Sequence, residues 1–398
     1  MEETKKSGSL GSLRALNRSR VIDTLRQLGV ASRAEIARRT GLSRSTVSSL
    51  VGELQDSGVI TERQANGEGG ATARGGRPPT LIALDPSVGV AVGVDFGKRH
   101  VAVAASDLSH TILAESRREM EGDYDAGAGF KAAEELVSEV LSDAKVERDV
   151  VIGAGVGVPA PIHVQTGAVG SSAILPGWNE VMVAEEVGAR LQLPVHVDND
   201  ANLAALAELH WGAGRNSSNL VYLTAGTGIG AGIVIDGRLY RGAGGTAGEI
   251  GHTTIDEGGS ICRCGSRGCL ETFAAMPAIL ELLKPSLGDD LTPEAVIESA
   301  AGGDLACLRA IGDAGRHLGA ALANLCNLVN PERIVVGGSL AQAGDALLDP
   351  MRETVQRRAI VSAARDVEIR AGELSERAEM LGAVALVLYE VETSSTNF

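Results

Sequence analysis

The sequence predicts an α/β chain in two parts: a small helical unit with a β-hairpin at the N-terminus, followed by a larger body of strands and helices. Three observations support this. Residues 14–63 contain three segments with apolar residues at helical spacing, separated by serine caps and glycines. After Pro86 the pattern changes to β-rich runs that end in glycine-rich turns. Within the body, three of the five cysteines lie within eight positions.

Composition indicates a globular chain whose charge is unevenly distributed. The net formal charge is −15, yet residues 1–90 contain 13 Lys and Arg against 9 Asp and Glu. A basic unit on an acidic body favours a polyanionic partner for that unit, although a solvated surface would show the same excess. The polar start has no signal-peptide core, and no apolar run has the length of a membrane span. We therefore expect a cytoplasmic protein with reduced thiols and no membrane partner.

The N-terminal unit has the pattern of a helix-turn-helix. Apolar residues at helical spacing predict a first helix over 14–28, and Ser32 with Glu35 forms a capping box for a second helix. Gly41 ends that helix, and a third helix starts at Ser43.

The third helix divides into an apolar and a polar face. The apolar face consists of Val47, Leu50, Val51 and Leu54. The polar face carries short hydrogen-bonding side chains and an arginine near the N-terminus, where a recognition helix meets base edges. We predict that the DNA contacts come from Arg44, Ser45, Thr46, Ser48 and Ser49.

Two extended segments after this helix flank the glycine-rich stretch NGEGGATARGGRPP, which predicts a β-hairpin wing. Arg74 and Arg77 lie in this stretch, where a wing reaches a phosphate backbone or a minor groove. A flexible linker would have the same composition. For the whole unit we expect a winged helix-turn-helix that binds DNA rather than a helical protein-interaction module.

Three glycine-bearing turns in the body each follow a predicted strand. They are Asp95-Phe96-Gly97, the run TAGTGIGAG over residues 224–232, and Gly337-Gly338. Small residues let backbone N–H groups approach an anion, and the threonines of the second turn can donate hydroxyls. Each turn alone is also explained by a hairpin that needs glycine.

The order of these turns resembles that of the sugar kinase/Hsp70/actin superfamily. There the first carboxylate usually holds magnesium through water and the turns meet phosphate. The resemblance implies phosphate or ATP contacts, either functional or vestigial, from Asp95, Gly97, Thr224, Gly226, Thr227, Gly228, Gly337 and Gly338.

A strand followed directly by a helix places Asn199 and Asp200 at the mouth of the body. Asp200 is suited to accept a proton from a sugar hydroxyl during attack on phosphate, and Asn199 to orient neighbouring hydroxyls. The alternative is that Asp200 is only a helix N-cap.

The clustered cysteines predict a metal site. His252, Cys262, Cys264 and Cys269 offer one imidazole and three thiolates, a set that suits structural Zn²⁺. The spacing differs from that of fingers with two Cys-x2-Cys halves, and it lacks the Cys-x-x-Cys of a redox pair. The remaining cysteines, Cys307 and Cys326, fall in helical sequence and are expected to be buried apolar residues.

Together, GEIGH, CRCGSRGCLE, DNDAN and LTAGTGIGAG resemble the ROK family (repressors, open reading frames and kinases) over nearly the whole chain. The resemblance implies a two-lobed actin-like ATPase (ribonuclease H-like) domain with a zinc loop that shapes a sugar site. It also implies that Glu249, His252 and Glu271 bind sugar hydroxyls together with Asn199 and Asp200. His252 would hold zinc through one ring nitrogen and present the other to a hydroxyl.

From this resemblance we expect a DNA-binding domain over residues 1–86, a first lobe over 87–206 and a second lobe over 207–374. A C-terminal helix, residues 375–398 or so, would return to the first lobe. A dimer or tetramer is expected, because one winged helix reads too few base pairs for specificity.

Three functions are compatible with these features. The first is a transcriptional regulator of carbohydrate metabolism whose DNA affinity changes when a sugar or sugar phosphate binds. The second is an ATP-dependent hexose kinase that uses Mg-ATP and Asp200 as base, and the third is a non-catalytic interaction protein. Kinase members carry Asp-x-Gly-Gly-Thr-Lys at the first turn, whereas this chain has long cations at Lys98 and Arg99, which favours the regulator.

Overall fold

The computed structural model describes residues 14, 17–18, 20–22, 24–26, 28–56, 58–63, 80–85, 89–122, 124–163, 166–170 and 176–394. They form a small N-terminal domain and a body built on two five-stranded sheets. Among the helices of these residues, none combines the length and the apolar composition that crossing a bilayer requires.

The N-terminal domain is a winged helix-turn-helix, as predicted. Ser32 caps the second helix by accepting a hydrogen bond from the Glu35 N–H at 3.3 Å, and Gly41 ends it with a left-handed φ of 71°. A three-stranded antiparallel sheet in the order β1-β3-β2 completes the domain. Its elements are α1 (described residues between 14 and 28), β1 (Ala31–Ser32), α2 (Arg33–Thr40), α3 (Arg44–Asp56), β2 (Ile60–Arg63) and β3 (Leu81–Leu84).

The two sheets of the body share one topology. In each, the first three strands form an antiparallel meander, and the fourth and fifth strands add in parallel beside the first. The order is therefore β6-β5-β4-β7-β8 in one sheet and β11-β10-β9-β12-β13 in the other. This repetition is the two-lobed actin-like arrangement that the sequence predicts. The strands are β4 (Val90–Phe96), β5 (His100–Asp107), β6 (Ile112–Glu119), β7 (Val151–Val158), β8 (Val195–Asn199), β9 (Leu220–Ala225), β10 (Ile229–Ile235), β11 (Arg238–Leu239), β12 (Arg333–Gly337) and β13 (Glu368–Ala371).

Helices cover both sheets and carry most of the apolar core. The longest of the described helices, α10, lies in the second lobe, where Cys307 and Cys326 are fully buried as expected. The helices of the body are α4 (Ala126–Ala144), α5 (Val183–Leu191), α6 (Asp200–His210), α7 (Glu271–Ala274), α8 (Met276–Leu287), α9 (Pro293–Ala301), α10 (Leu305–Val329), α11 (Asp345–Arg358), α12 (Val361–Asp366) and α13 (Ala378–Ser394).

Helix α13 packs against the first sheet at backbone distance. A Cβ on Gly155 of β7 would lie 1.9 Å from the carbonyl oxygen of Ala383, so only glycine permits this approach. The sequence of α13 is accordingly apolar on several sides, since the helix contacts β4 and β7 on one side and α6 on another.

The structure corrects the sequence interpretation of the second glycine turn. Residues 224–232 were expected to form one glycine loop, but only the residues between Ala225 and Ile229 form a turn, and β10 begins at Ile229. The glycines of β10 have a packing reason: a Cβ on Gly232 would lie 2.3 Å from the carbonyl oxygen of Ala201 in α6. Glycine in this strand therefore allows α6 to approach the second sheet closely.

Candidate functional site

The start of α6 forms the centre of the candidate site. Asn199 is the N-cap, because its Oδ1 accepts the Ala201 N–H at 2.9 Å, and its Nδ2 donates to the Ala160 carbonyl at 3.3 Å. The Asp200 Oδ1 accepts from the same Ala201 N–H at 2.8 Å. Capping is thus shared by the two residues, which leaves Asp200 Oδ2 without a role in the cap.

The environment of Asp200 favours its protonated form. Burial raises the pKa of Asp200 to about 7 despite the Ala201 hydrogen bond, and the carboxylates of Asp95 and Glu249 raise it further. A carboxyl group with a pKa near neutrality can either donate to or accept from a ligand hydroxyl.

The second lobe contributes Glu249 and Glu271 to the site, and their carboxyl groups interact. Burial raises the pKa of Glu249, and the Glu271 carboxylate adds to that increase. Glu271 is 7% exposed, and its Oε2 accepts from the Ile229 N–H at 3.1 Å and from Arg263 at 2.8 Å. Its other oxygen remains for a ligand.

Four predicted metal ligands converge beside these carboxylates. The ligand atoms of His252, Cys262, Cys264 and Cys269 all lie within 4.8 Å of one another. His252 turns Nδ1 toward Cys262 Sγ, at 3.6 Å, and Nε2 toward Glu249 Oε2, at 3.8 Å. The four residues therefore form a candidate metal centre, and the ring of His252 connects it to the carboxylates.

The three glycine turns lie in two places. Thr224 of β9 pairs with Gly337 of β12, so the second and third turns are neighbours at one edge of the second sheet. Thr227 is exposed at the tip, and Gly226 donates its N–H to the Gly228 carbonyl at 3.0 Å. Gly338 adopts a left-handed φ of 83°.

The first turn differs from the sequence expectation. Asp95 lies in β4 rather than in the turn, and the side chains of Lys98 and Arg99 are exposed. The group that contacts Asp95 is His100, whose Nε2 lies 2.7 Å from Asp95 Oδ2. This contact was not predicted from the sequence.

Two further cations at the site were also missed. Arg241 Nε donates to Asp198 Oδ2 at 2.6 Å, and Arg263 bonds Glu271 as described above. Asp198 is 4% exposed and immediately precedes Asn199, so Arg241 of the second lobe reaches the strand end from which α6 begins.

The N-terminal domain presents the predicted polar face. Arg44, Ser45, Ser48 and Ser49 are exposed on α3, and Thr46 is half-buried. Ser43 caps the helix by accepting the Thr46 N–H at 3.1 Å. Arg74 and Arg77 of the predicted wing lie outside the described residues.

The winged helix-turn-helix contacts the body at the far end of α6. Arg26 of α1 donates to the Leu108 carbonyl at 3.4 Å. The Trp211 Nε1 donates to the His110 carbonyl at 2.9 Å, and the rings of His110 and His210 lie 5.0 Å apart. Burial and the Arg26 charge lower the pKa of His210 to about 3 and also lower that of His110, so both rings are neutral at physiological pH.

Comparison with known proteins gives consistent matches. Sequence profiles described as "ROK family" and "Winged helix-turn-helix DNA-binding" match residues 91–390 and 16–61. A xylose repressor from Caldicellulosiruptor bescii is 32% identical over 95% of this chain and 97% of its own length. The crystal structure of a ROK family transcriptional regulator, a homologue of the Escherichia coli Mlc protein, superposes with a TM-score of 0.79 at 26% identity and covers 96% of this chain and 98% of that one. A ROK family glucokinase from Streptomyces griseus, in complex with glucose and AMPPNP, covers 75% of this chain and 99% of its own, with 29% identity and a TM-score of 0.65.

Proposed function

The chain belongs to the ROK family, and from that premise we propose that it is a DNA-binding transcriptional repressor of carbohydrate metabolism whose operator affinity is controlled by a sugar or sugar phosphate. The proposal rests on the position of α6 between the candidate site and the N-terminal domain. One end of this helix holds Asn199 and Asp200, and the other end meets the residues on which the winged helix-turn-helix rests.

The DNA-reading part of the proposal assigns α3 to the major groove. Its exposed arginine and serines supply a charged donor and short hydroxyls near the helix N-terminus. Arg74 and Arg77 are assigned to phosphate or minor-groove contacts. We further propose a homodimer or homotetramer, because two winged helices reading half-sites about 34–36 Å apart give operator specificity.

The effector part assigns the cleft carboxylates to sugar hydroxyls. Asp200, Glu249 and Glu271 supply acceptors, Asn199 supplies an amide, and His252 Nε2 faces the same group. Pairs of carboxylates suit the vicinal hydroxyls of a sugar, because each oxygen accepts a hydrogen bond from a different hydroxyl. We propose the expected limits for the three parts of the chain: 1–86, 87–206 with the C-terminal helix, and 207–374.

Zinc is the proposed ion of the metal centre. With bond lengths of about 2.3 Å to sulfur and about 2.0–2.1 Å to nitrogen, a tetrahedral zinc site has S–S edges of about 3.8 Å and S–N edges of about 3.6 Å. The Cys264–Cys269 sulfur pair lies 3.7 Å apart and the Cys262–His252 pair 3.6 Å apart, which fits those edges. The ion would be structural: it would fix the loop and hold the His252 ring toward Glu249.

Coupling between the sites follows from the stiffness of α6. A ligand that favours one closure of the lobes shifts the N-terminus of the helix, and an 11-residue helix transmits that shift to its other end. There, Trp211 bonds the His110 carbonyl, so the shift moves the turn that also carries Leu108 and thereby changes how Arg26 and the winged helix-turn-helix are held.

Operator binding tests the function. On an operator selected from random-sequence DNA, we expect D-xylose or D-glucose to release the wild-type protein in a gel-shift titration. Arg44→Ala is expected to weaken sugar-free binding by about 5- to 150-fold, the cost of about 1–3 kcal/mol for a lost base contact. Arg365→Ala, an exposed arginine of the second lobe, is the matched control and should bind as wild type. Selection of no operator, or release by neither these nor any other sugar or sugar phosphate of a wider panel, would contradict the proposal.

Tryptophan fluorescence tests the coupling without DNA. The chain has two tryptophans: Trp178, which is fully buried in the first lobe, and Trp211 at the junction. We expect a sugar that releases the operator to change the emission of wild type and of Trp178→Phe, but not that of Trp211→Phe. A sugar-induced change carried by Trp178 alone would show that the junction does not respond.

The alternative activity is ATP-dependent phosphorylation of a hexose. The observation that favours it is the carboxyl of Asp200, whose pKa of about 7 suits a general base. Turnover of D-glucose or D-xylose with Mg-ATP above the background of Asp200→Asn would establish this activity.

A further inference from the structure

We propose that His100 closes the first phosphate turn to magnesium nucleotides, so that the cleft binds its sugar without phosphorylating it. The proposal deepens the proposed sugar-sensing function and rests on it. On this proposal, one side chain decides whether the same fold acts as a sugar sensor or as a sugar kinase.

His100 engages the carboxylate that a magnesium site would use. Its Nε2 lies 2.7 Å from Asp95 Oδ2, and Asp95 is only 3% exposed. A hydrated magnesium ion needs the oxygens of such a carboxylate for its own octahedral shell. The imidazole must therefore break its short hydrogen bond to Asp95 before the ion can bind. That bond is costly to break because the carboxylate is buried.

His100 also covers the backbone of the turn. A Cβ built on Gly97 would lie 2.0 Å from Cε1, 2.4 Å from Nδ1 and 2.6 Å from Nε2 of the imidazole, so the ring occupies the open side of this glycine. The Gly97 N–H is already used, because it donates to the His100 carbonyl at 3.0 Å. The absence of a side chain at Gly97 therefore admits the histidine ring rather than a phosphate.

The turn is held in this closed form by its neighbours. The Tyr124 hydroxyl donates to the Gly97 carbonyl at 2.6 Å and lies 3.2 Å from the His100 carbonyl. Phe96 is buried, with its ring centroid 4.8 Å from that of Trp178. Opening the turn by moving its backbone would break these contacts, so an entering phosphate would have to displace the imidazole ring itself.

The carboxyl groups near the turn act in the same direction. The charge of Asp95 acts on both Asp200 and Glu379. Burial raises the pKa of Glu379 to about 8 and that of Asp200 to about 7, with Asp95 adding to both. Both carboxyl groups are therefore shifted toward their neutral form near pH 7, which makes them weak ligands for a cation. With Asp95 taken by His100, a magnesium ion has lost its principal ligand at this turn.

Calorimetric titration with AMP-PNP and magnesium tests the proposal on the full-length chain. Wild type and His163→Ala, which removes an exposed histidine of the same lobe, are expected to show no binding. His100→Ala is expected to bind measurably, with an affinity at least about tenfold above the detection limit of the titration. His100→Asn retains a donor toward Asp95 but lacks the ring, and it should bind the nucleotide more weakly than His100→Ala. It also provides a second test if the alanine variant does not fold.

The results separate this proposal from the proposed function. Wild-type binding as tight as that of His100→Ala, or no gain in either folded His100 variant, overturns the role of His100. Sugar-dependent release from the operator, measured on the same variants, reports the proposed function independently. A gain in nucleotide binding together with an operator response to no sugar supports the closure by His100 and refutes the sensor.

Discussion

Cys269→Ala is expected to release the proposed zinc ion and to lower the free energy of unfolding by about 3 kcal/mol or more, which is about 5 °C or more in melting temperature. The buried sulfur of Cys269 lies 3.7 Å from that of Cys264, so its removal takes away one of four ligands. Metal content by mass spectrometry and thermal unfolding measure the two effects.

The size of this effect follows from the lack of regular secondary structure in the loop. Residues 253–270, all of which the structure describes, contain no helix or strand. They are held by isolated bridges such as Thr254–Cys269 and by turn hydrogen bonds such as that from the Cys262 N–H to the Ser266 carbonyl at 2.8 Å. The same loop supplies Arg263, which bonds the buried Glu271. Loss of the ion should therefore weaken sugar binding as well as stability.

Cys307→Ala is the matched control, because Cys307 is a fully buried cysteine of α10 that lies outside the metal centre. It is expected to keep one zinc per chain and to retain the sugar response, with only the modest loss of stability that a small core truncation causes. Zinc bound stoichiometrically to Cys269→Ala, or absent from wild type, would refute the assignment.

The candidate metal centre and the positions of the glycine turns, though not their details, were predictable from sequence because their parts are local. Three cysteines within eight positions can meet whatever the rest of the fold does, and a strand followed by glycines predicts its own turn. The winged helix-turn-helix was predictable for the same reason, since Ser32, Glu35 and Gly41 specify helix ends through contacts within one or two turns.

The role of His100 was missed although a local signal existed. In the β4–β5 hairpin Asp95 pairs with Ala102, and His100 lies two residues from Ala102 on the same face. Diagonal neighbours of this kind are within reach of a long side chain. The long side chains of Lys98 and Arg99, which differ from the kinase pattern, are exposed to solvent, and the smaller His100 is the residue that contacts Asp95.

Other contacts had no local signal. Arg241 and Asp198 are 43 positions apart in sequence and lie on different lobes, and Glu379 reaches Asp95 only because α13 returns to the first sheet. Spacing cannot predict such pairs, since they depend on how the two lobes are placed. The predicted start of β10 was wrong for a related reason. The strand needs glycine because α6 packs closely against it, and not because the chain turns there.

The pair formed by Arg241 and Asp198 should show the largest effect of a single substitution outside the metal centre. Asp198 is 4% exposed and its Oδ2 accepts from Arg241 at 2.6 Å, while Oδ1 accepts from the Asn199 N–H and from Asn202 Nδ2. Arg241→Met removes the only cation that bonds this carboxylate in the part of the chain that the structure describes. We expect a loss of about 3–5 kcal/mol in urea unfolding, because a buried charge is left without its counter-ion.

A double-mutant cycle distinguishes this explanation from lost packing. Asp198→Asn removes the buried charge, and Arg241, with 29% of its side chain exposed, can still be hydrated. If the unpaired carboxylate is the cause, Arg241→Met in the Asp198→Asn background should cost much less than in wild type, whereas lost packing would cost the same in both. Since Asp198 precedes the helix that begins at Asp200, Arg241→Met should also weaken sugar binding, and retention of wild-type sugar affinity would show that the pair stabilises the lobes without setting the site.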